Sequence, residues 1–448
     1  MKTFKIGGVH PAENKLTAGS PIRQAALPKQ AVFSMFQHIG APARPVVQRG
    51  DEVKVGTLLA EAGGFVSAPV HSSVSGKVAK IDVALDASGT RRTAIYVNVE
   101  GDEWEESIDR TDTLVRLADH GELDSKAIVE KIKNAGVVGM GGATFPSHVK
   151  LTPPPGCKAE CVIINAVECE PYLTADHRLM LEHADEILEG VEIIMKAVSV
   201  EKGYIGIENN KPDAIALMTD RAKAHPHIEV VPLKVKYPQG GEKQLIDAII
   251  GRQVPAPPAI PIQVGAVVQN VGTAFAIYQA VLKNKPLLDR VVTVTGKSVA
   301  RPGNLLARLG TPLQQLMDEC GGLPEDAGKI ISGGPMMGKA LLSLEVPVTK
   351  GSSGLLVMSE KEARRTEPSP CIRCAKCVDV CPMGLEPYLL ATLSAHGKWE
   401  EAERNEVTSC IECGSCQYTC PSHRPLLDMV RVGKSTVMGI IKARAAKK

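Results

Sequence analysis

Two cysteine runs in the C-terminal quarter, CIRCAKCVDVCP from Cys371 and CIECGSCQYTCP from Cys410, constrain this chain more than any other feature. Each reads C-x-x-C-x-x-C-x-x-x-C followed at once by proline, and each position of the first recurs 39 residues later, an internal duplication. Three cysteines at intervals of three wrap a loop around one corner of an iron–sulfur cubane. The fourth, followed by Pro382 or Pro421, points to the neighbouring cluster. This assigns Cys371, Cys374, Cys377 and Cys420 to one [4Fe-4S] cluster and Cys410, Cys413, Cys416 and Cys381 to the other. A pair of zinc ribbons is the competing reading, but such sites pair two C-x-x-C halves across a spacer, without a three-cysteine run plus C-P. Between the runs, 386–396 and 398–406 read as short helices.

Twelve cysteines in a chain with no apolar leader and no long apolar span point to a cytoplasmic protein whose thiols stay reduced. Cys157, Cys161, Cys169 and Cys320, outside the runs, suit no common metal site and read as core or surface thiols. The net charge of +2 and 3% aromatic content give nucleic acid no foothold. At 448 residues, about three domains are expected.

Residues 1–30 are Gly, Pro and polar rich and read as an extended arm. From 31 to 100 short β-like segments, V-x-V-G-x-x-L at Val53 and S-G-x-V-x-x-I at Ser75, suggest a small barrel-sandwich domain of the biotinyl and lipoyl kind. No lysine stands in the stretch between them, GFVSAPVHSS, so the domain reads as scaffold. From 120 to 288 strands (161–166, 203–208, 228–235, 265–268) alternate with helices (177–198, 213–225, 242–250, 273–282), which predicts an α/β domain with a largely parallel sheet. A compact α+β module follows at 290–358, then the cluster domain at 360–430. A basic tail, 431–448, reads either as a frayed end or as a segment that docks on an anionic surface.

Clusters move single electrons, so the α/β domain decides what the chain exchanges them with. Its first loop, Gly136-Val-Val-Gly-Met-Gly-Gly-Ala-Thr-Phe-Pro146, can bring backbone N–H groups close to a phosphate, although a Gly-rich stretch is also often a plain turn. After the 161–166 strand, Asn165-Ala-Val-Glu-Cys-Glu-Pro171 places two carboxylates at a strand's C-terminal end, either to meet a ribose or flavin ring or as a solvated acidic loop.

Together G-x-G-G-A-x-F-P-x-x-x-K (139–150), N-A-x-E-x-E-P (165–171), Y-x-x-G-x-E-x-x-L (237–245) and N-V-x-T (270–273) resemble the FMN and NADH site of the flavoprotein subunit of respiratory complex I. Residues 290–355 resemble the β-grasp (SLBB) module that follows it. The pattern departs where Met140, Val167, Gly241 and Gly272 replace an arginine, an aspartate and two glutamates. With Gly7-Gly8-Val9-His10-Pro11, the barrel-sandwich segment and the doubled cysteine run, the whole chain is similar to the RnfC family, components of the Rnf ion-translocating ferredoxin:NAD oxidoreductases.

The resemblance implies a multidomain α/β and α+β protein with an α-helical, ferredoxin-like two-cluster domain. It implies FMN held by Gly139, Gly141, Gly142, Lys150, Asn165, Asn270 and Thr273, and NAD(H) contacted by Phe145, Glu168, Glu170 and Glu242. It implies electron exchange between NAD(H) and partner subunits, integral-membrane and ferredoxin-like, with ferredoxin reached indirectly. The chain is then expected on the cytoplasmic side of the inner membrane, peripherally bound. A soluble cobalamin-reductase-type enzyme or a flavin-free electron-relay adaptor would share the same modules.

Overall fold

The short apolar runs of the α/β region become four parallel strands, in the order Ile228–Leu233, Gly203–Glu208, Cys161–Asn165, Ala266–Asn270 across the sheet. This structure, a computed structural model, describes residues 1–121 and 123–446. Alternation along the strands sets the layers. Val162 and Ile164 face the core under the Ala184–Ala197 and Val271–Leu282 helices, while Cys161 and Ile163 face the Glu242–Ile250 helix. Each such aliphatic side chain, fully buried, contributes about 1.5–3 kcal/mol of transfer free energy.

The chain leaves the Cys161–Asn165 strand towards one edge and returns on its other side as Ala266–Asn270. That reversal is a topological switch point, and it sets Asn165 beside Asn270 at the carboxyl ends of adjacent strands.

One helix was expected over 177–198, and the structure has two, Ala175–Glu182 and Ala184–Ala197. His183, at φ −135° and ψ 39°, breaks the helix, its ring 4.6 Å from Phe275 and its Nδ1 3.1 Å from Glu186.

The barrel-sandwich region forms a four-stranded sheet (Gln30–Ser34, Arg91–Val99, Gly76–Leu85, Glu52–Val53) facing a three-stranded one (Arg44–Pro45, Leu58–Glu61, Val70–His71). The following module is a six-stranded sheet, and its edge strand, Ile22–Gln24, comes from the N-terminal segment. The arm is thus not free: Val9 bridges Tyr237, Gly8 N donates to the Val380 carbonyl at 2.9 Å, and Asn304 Nδ2 donates to the carbonyls of Thr17 and Ser20.

The supposed tail also differs. Residues 431–445 continue a 20-residue helix, Leu426–Ala445, packed on the Pro387–Ala395 helix. Arg431 and Lys434 pair with Glu412, and Arg444 with Glu403; Lys447 and Lys448 lie outside the described residues. No helix among the described residues is long and apolar enough to cross a membrane.

Candidate functional site

At the switch point, the Gly-rich loop lies over the start of the Val271–Leu282 helix. Asn270 caps that helix, accepting from Gly272 N at 2.9 Å, and Thr273 Oγ1 accepts from Met140 N at 2.9 Å. Gly139 N closes the loop on the Phe145 carbonyl at 2.8 Å. A Cβ at Gly141 would stand 2.9 Å from Asn270 Nδ2, whereas one at Gly142 would meet nothing. The loop therefore has a packed floor and an open upper side, a cradle that fits a phosphate-bearing group such as FMN.

Asn270 Nδ2 is oriented by Asp176 at 2.7 Å, and Asn165 Nδ2 by the Gly240 carbonyl at 2.8 Å. Burial, and then the nearby Glu168 charge, raise the Asp176 carboxyl above its usual range. Lys150, on the Ser147–Lys150 turn, donates to the Glu242 carboxylate at the start of the Glu242–Ile250 helix, and both stay partly exposed.

The structure thus gathers Gly139, Gly141, Gly142, Asn165, Asn270 and Thr273 at one strand end, and joins Lys150 to Glu242. Phe145 closes the glycine loop and is half-buried. The two acidic loop residues are turned to internal partners. Glu168 accepts from Asp176 N (2.8 Å) and His177 N (3.1 Å), capping the Ala175–Glu182 helix. Glu170 accepts from Met336 N (3.1 Å) and Met337 N (2.7 Å) in the β-grasp module, and burial pushes its carboxyl up to about 7.

Three supporting residues escaped the sequence reading. Asp176 lay within a recognised stretch, but its role is set by Asn270 across the fold. Arg290 and Lys350, both buried, reach the glycine loop from the β-grasp module. Arg290 Nε donates to the Ser352 carbonyl and its terminal nitrogen to that of Met140, while Lys350 Nζ donates to Pro69 (2.6 Å) and Gly136 (2.7 Å). Neither residue has a local signal in sequence.

In the C-terminal domain, Cys381, Cys410, Cys413 and Cys416 line one apolar cavity closed by Leu427 and Val430. Cys377 is under the electrostatic influence of Cys420 and Cys371. The fourth cysteine of each run thus sits with the other run. Among the described residues no three Cys, His, Asp or Glu side chains form a group for a single ion. The four thiols ring a cavity instead, as ligands to separate irons of one cubane must. Burial raises the Cys410 thiol to about 11, so deprotonation in this apolar setting calls for the compensating charge of iron.

The cavity abuts the α/β domain. Tyr237 OH donates to the Cys413 carbonyl at 2.9 Å, and Gln244 Nε2 to that of Pro382 at 3.1 Å.

Four family profiles match in series: RnfC barrel sandwich hybrid domain over 2–102, Nuo51 FMN-binding domain over 132–279, SLBB domain over 291–340 and 4Fe-4S dicluster domain over 363–430. The chain is 45% identical, over 97% of its length and 97% of the relative's, to the RnfC component of the Na(+)-translocating ferredoxin:NAD(+) oxidoreductase complex of Acetobacterium woodii. It belongs to the RnfC family.

Another member, from the proton-translocating complex of Clostridium ljungdahlii, is 48% identical over 88% of this chain and 84% of its own. Among solved structures, the NAD+-reducing [NiFe]-hydrogenase in its H2-reduced state covers 70% of this chain and 62% of its own, at 19% identity and a TM-score of 0.49. As a member of the RnfC family, the chain is an electron-transfer protein that uses FMN and two [4Fe-4S] clusters.

Proposed function

We propose that this chain is the NAD(H)-facing component of a membrane-bound, ion-translocating ferredoxin:NAD oxidoreductase, docked peripherally on the cytoplasmic side of the membrane. One observation carries the reading: the cavity ringed by Cys381, Cys410, Cys413 and Cys416 is seated by Tyr237 and Gln244 against the carboxyl end of the sheet where the glycine cradle opens.

FMN supplies the exchange between a two-electron hydride donor and one-electron clusters. Gly139, Gly141 and Gly142 form the cradle, Asn165, Asn270 and Thr273 its floor, and Lys150 offsets negative charge at its rim. Phe145 and Glu242, the site residues still partly open to solvent, are the direct NAD(H) contacts. Glu168 and Glu170 fix the loop between strand and helix through the backbone donors they accept. No acid, base or nucleophile is required of the protein, whose work is positioning and exclusion of water.

The test is anaerobic purification with iron and flavin quantitation, then NADH titration followed by optical and electron paramagnetic resonance spectra. About eight irons and one FMN per chain, with flavin bleaching and cluster signals on NADH addition, are expected. A full iron complement with no response to NADH, while dithionite reduces the clusters, would make the chain a relay.

A further inference from the structure

The two cysteine runs repeat in conformation as well as in sequence. Arg373 and Glu412 occupy matching positions at φ 57° and 58°, Ala375 and Gly414 likewise at 60° and 78°, and each loop leads into a short helix, Lys376–Asp379 or Ser415–Tyr418. The surroundings of the two loops are opposite. The second is covered by this chain itself: Ile411 packs with Val9 and Tyr237, Tyr237 OH holds the Cys413 carbonyl, and Gly414 lies against Met336.

The first loop is bare. Every residue from 364 to 376 is exposed, including the ligands Cys371 and Cys374, and Ile372, the counterpart of Ile411, is 67% exposed. Tyr418, two residues before Cys420, is 55% exposed. The charge differs too. Where the covered loop has Glu412 and Ser415, the bare one has Arg373 and Lys376, and Arg364 and Arg365 precede it with only Glu367 opposing them.

We infer that the bare face around Cys371–Cys377 is a docking surface for an acidic redox domain, which seats an apolar contact on Ile372 and Tyr418 as Tyr237 and Val9 do on Ile411. This deepens the proposed function by naming the chemistry of the partner at the exposed cluster. Each crossing moves one electron between that cluster and the partner's own one-electron group, with no bond made or broken. The basic rim steers the encounter, and the apolar centre fixes the approach. The charge swap between the two loops separates the partners: an acidic surface suits Arg373 and Lys376 but would be repelled at Glu412.

The experiment uses the loaded chain, reduced with dithionite and desalted, mixed by stopped flow with the oxidised membrane subunits of the same complex purified without it. The native transfer rate is expected to fall about tenfold or more between about 50 mM and about 500 mM salt. Arg373→Glu with Lys376→Glu should slow the low-salt rate by a similar factor and flatten its salt dependence, with iron content and cluster midpoint potentials unchanged. The neutral pair Arg373→Gln and Lys376→Gln should fall between the two.

A native rate independent of salt, or reversed variants that transfer at the native rate, would overturn the inference. Slowing matched by a shifted cluster potential would also overturn it, because the two cations would then tune the cluster. NADH plays no part in this readout. Failure of the nicotinamide reading shows separately, as a native chain that NADH does not reduce.

Discussion

Glu170 and Lys350 are both buried ionisable groups, and they tilt stability with pH in opposite directions. Burial holds the Glu170 carboxyl at about 7 against an ordinary 4.5. The folded state therefore keeps a proton that the unfolded chain has lost. Stability from this group is whole below about pH 4.5 and fades as pH rises through 7, by about 3 kcal/mol in all. Glu170→Gln should accordingly show a shallower fall in melting temperature between pH 5 and pH 8 than the native chain, measured anaerobically by scanning calorimetry. Burial alone holds the Lys350 ammonium at about 7 against 10.5. Its cost is borne in full below about pH 7 and is relieved as pH rises towards 10.5. Between pH 7.5 and 9.5 the native protein should gain stability that Lys350→Met does not. Equal slopes in native and variant would show that the ammonium is better solvated than its two carbonyl partners provide.

Among the elements, the cysteine loops test the crossed ligand set. Cys381→Ser should cost the buried cluster, ringed by Cys410, Cys413 and Cys416, and leave the exposed one, with iron falling from about eight to about four per chain. Cys420→Ser should do the reverse, and the two residual paramagnetic spectra should differ. In the glycine loop, Gly142→Ala meets no protein atom, so it should spare the fold and weaken FMN binding, whereas Gly141→Ala presses on Asn270 and should disturb the loop even without flavin. These elements were legible in sequence because cysteine spacing, period-2 strands and glycine runs are local signals. The break at His183 was not, since Leu179, Ile187, Val191 and Ile194 keep one apolar periodicity across it. Nor was the docking of 431–445, because the acids that meet its cations, Glu403 and Glu412, lie far back in the chain.

At the scale of the whole molecule, the N-terminal segment is the element that composition misled most: glycine and proline suggested a loose arm, and it is a strap. Lys2 bridges Leu233, Val9 bridges Tyr237, and Lys15 Nζ donates to the carbonyls of Glu168, Glu170 and Leu173, while Ile22–Gln24 completes the β-grasp sheet. The strap thus crosses the acidic loop of the flavin domain and touches the cluster domain on its way to a third. Its closest passage is Gly7, at φ +67°, where a Cβ would stand 2.6 Å from the Cys381 carbonyl group. Both the left-handed backbone and the lack of space exclude a side chain there. Cys381 is also a proposed ligand of the cluster nearest the flavin. Gly7→Val should therefore push the cluster domain off the α/β domain without touching a ligand. Iron and flavin contents should stay native, while stopped-flow reduction of the clusters by NADH slows about tenfold or more, since a misplacement of about 1 Å already costs that much where reacting groups must be held close. Reduction at the native rate would mean that Tyr237 and Gln244 hold the two domains in register alone, and that the strap serves the β-grasp sheet only.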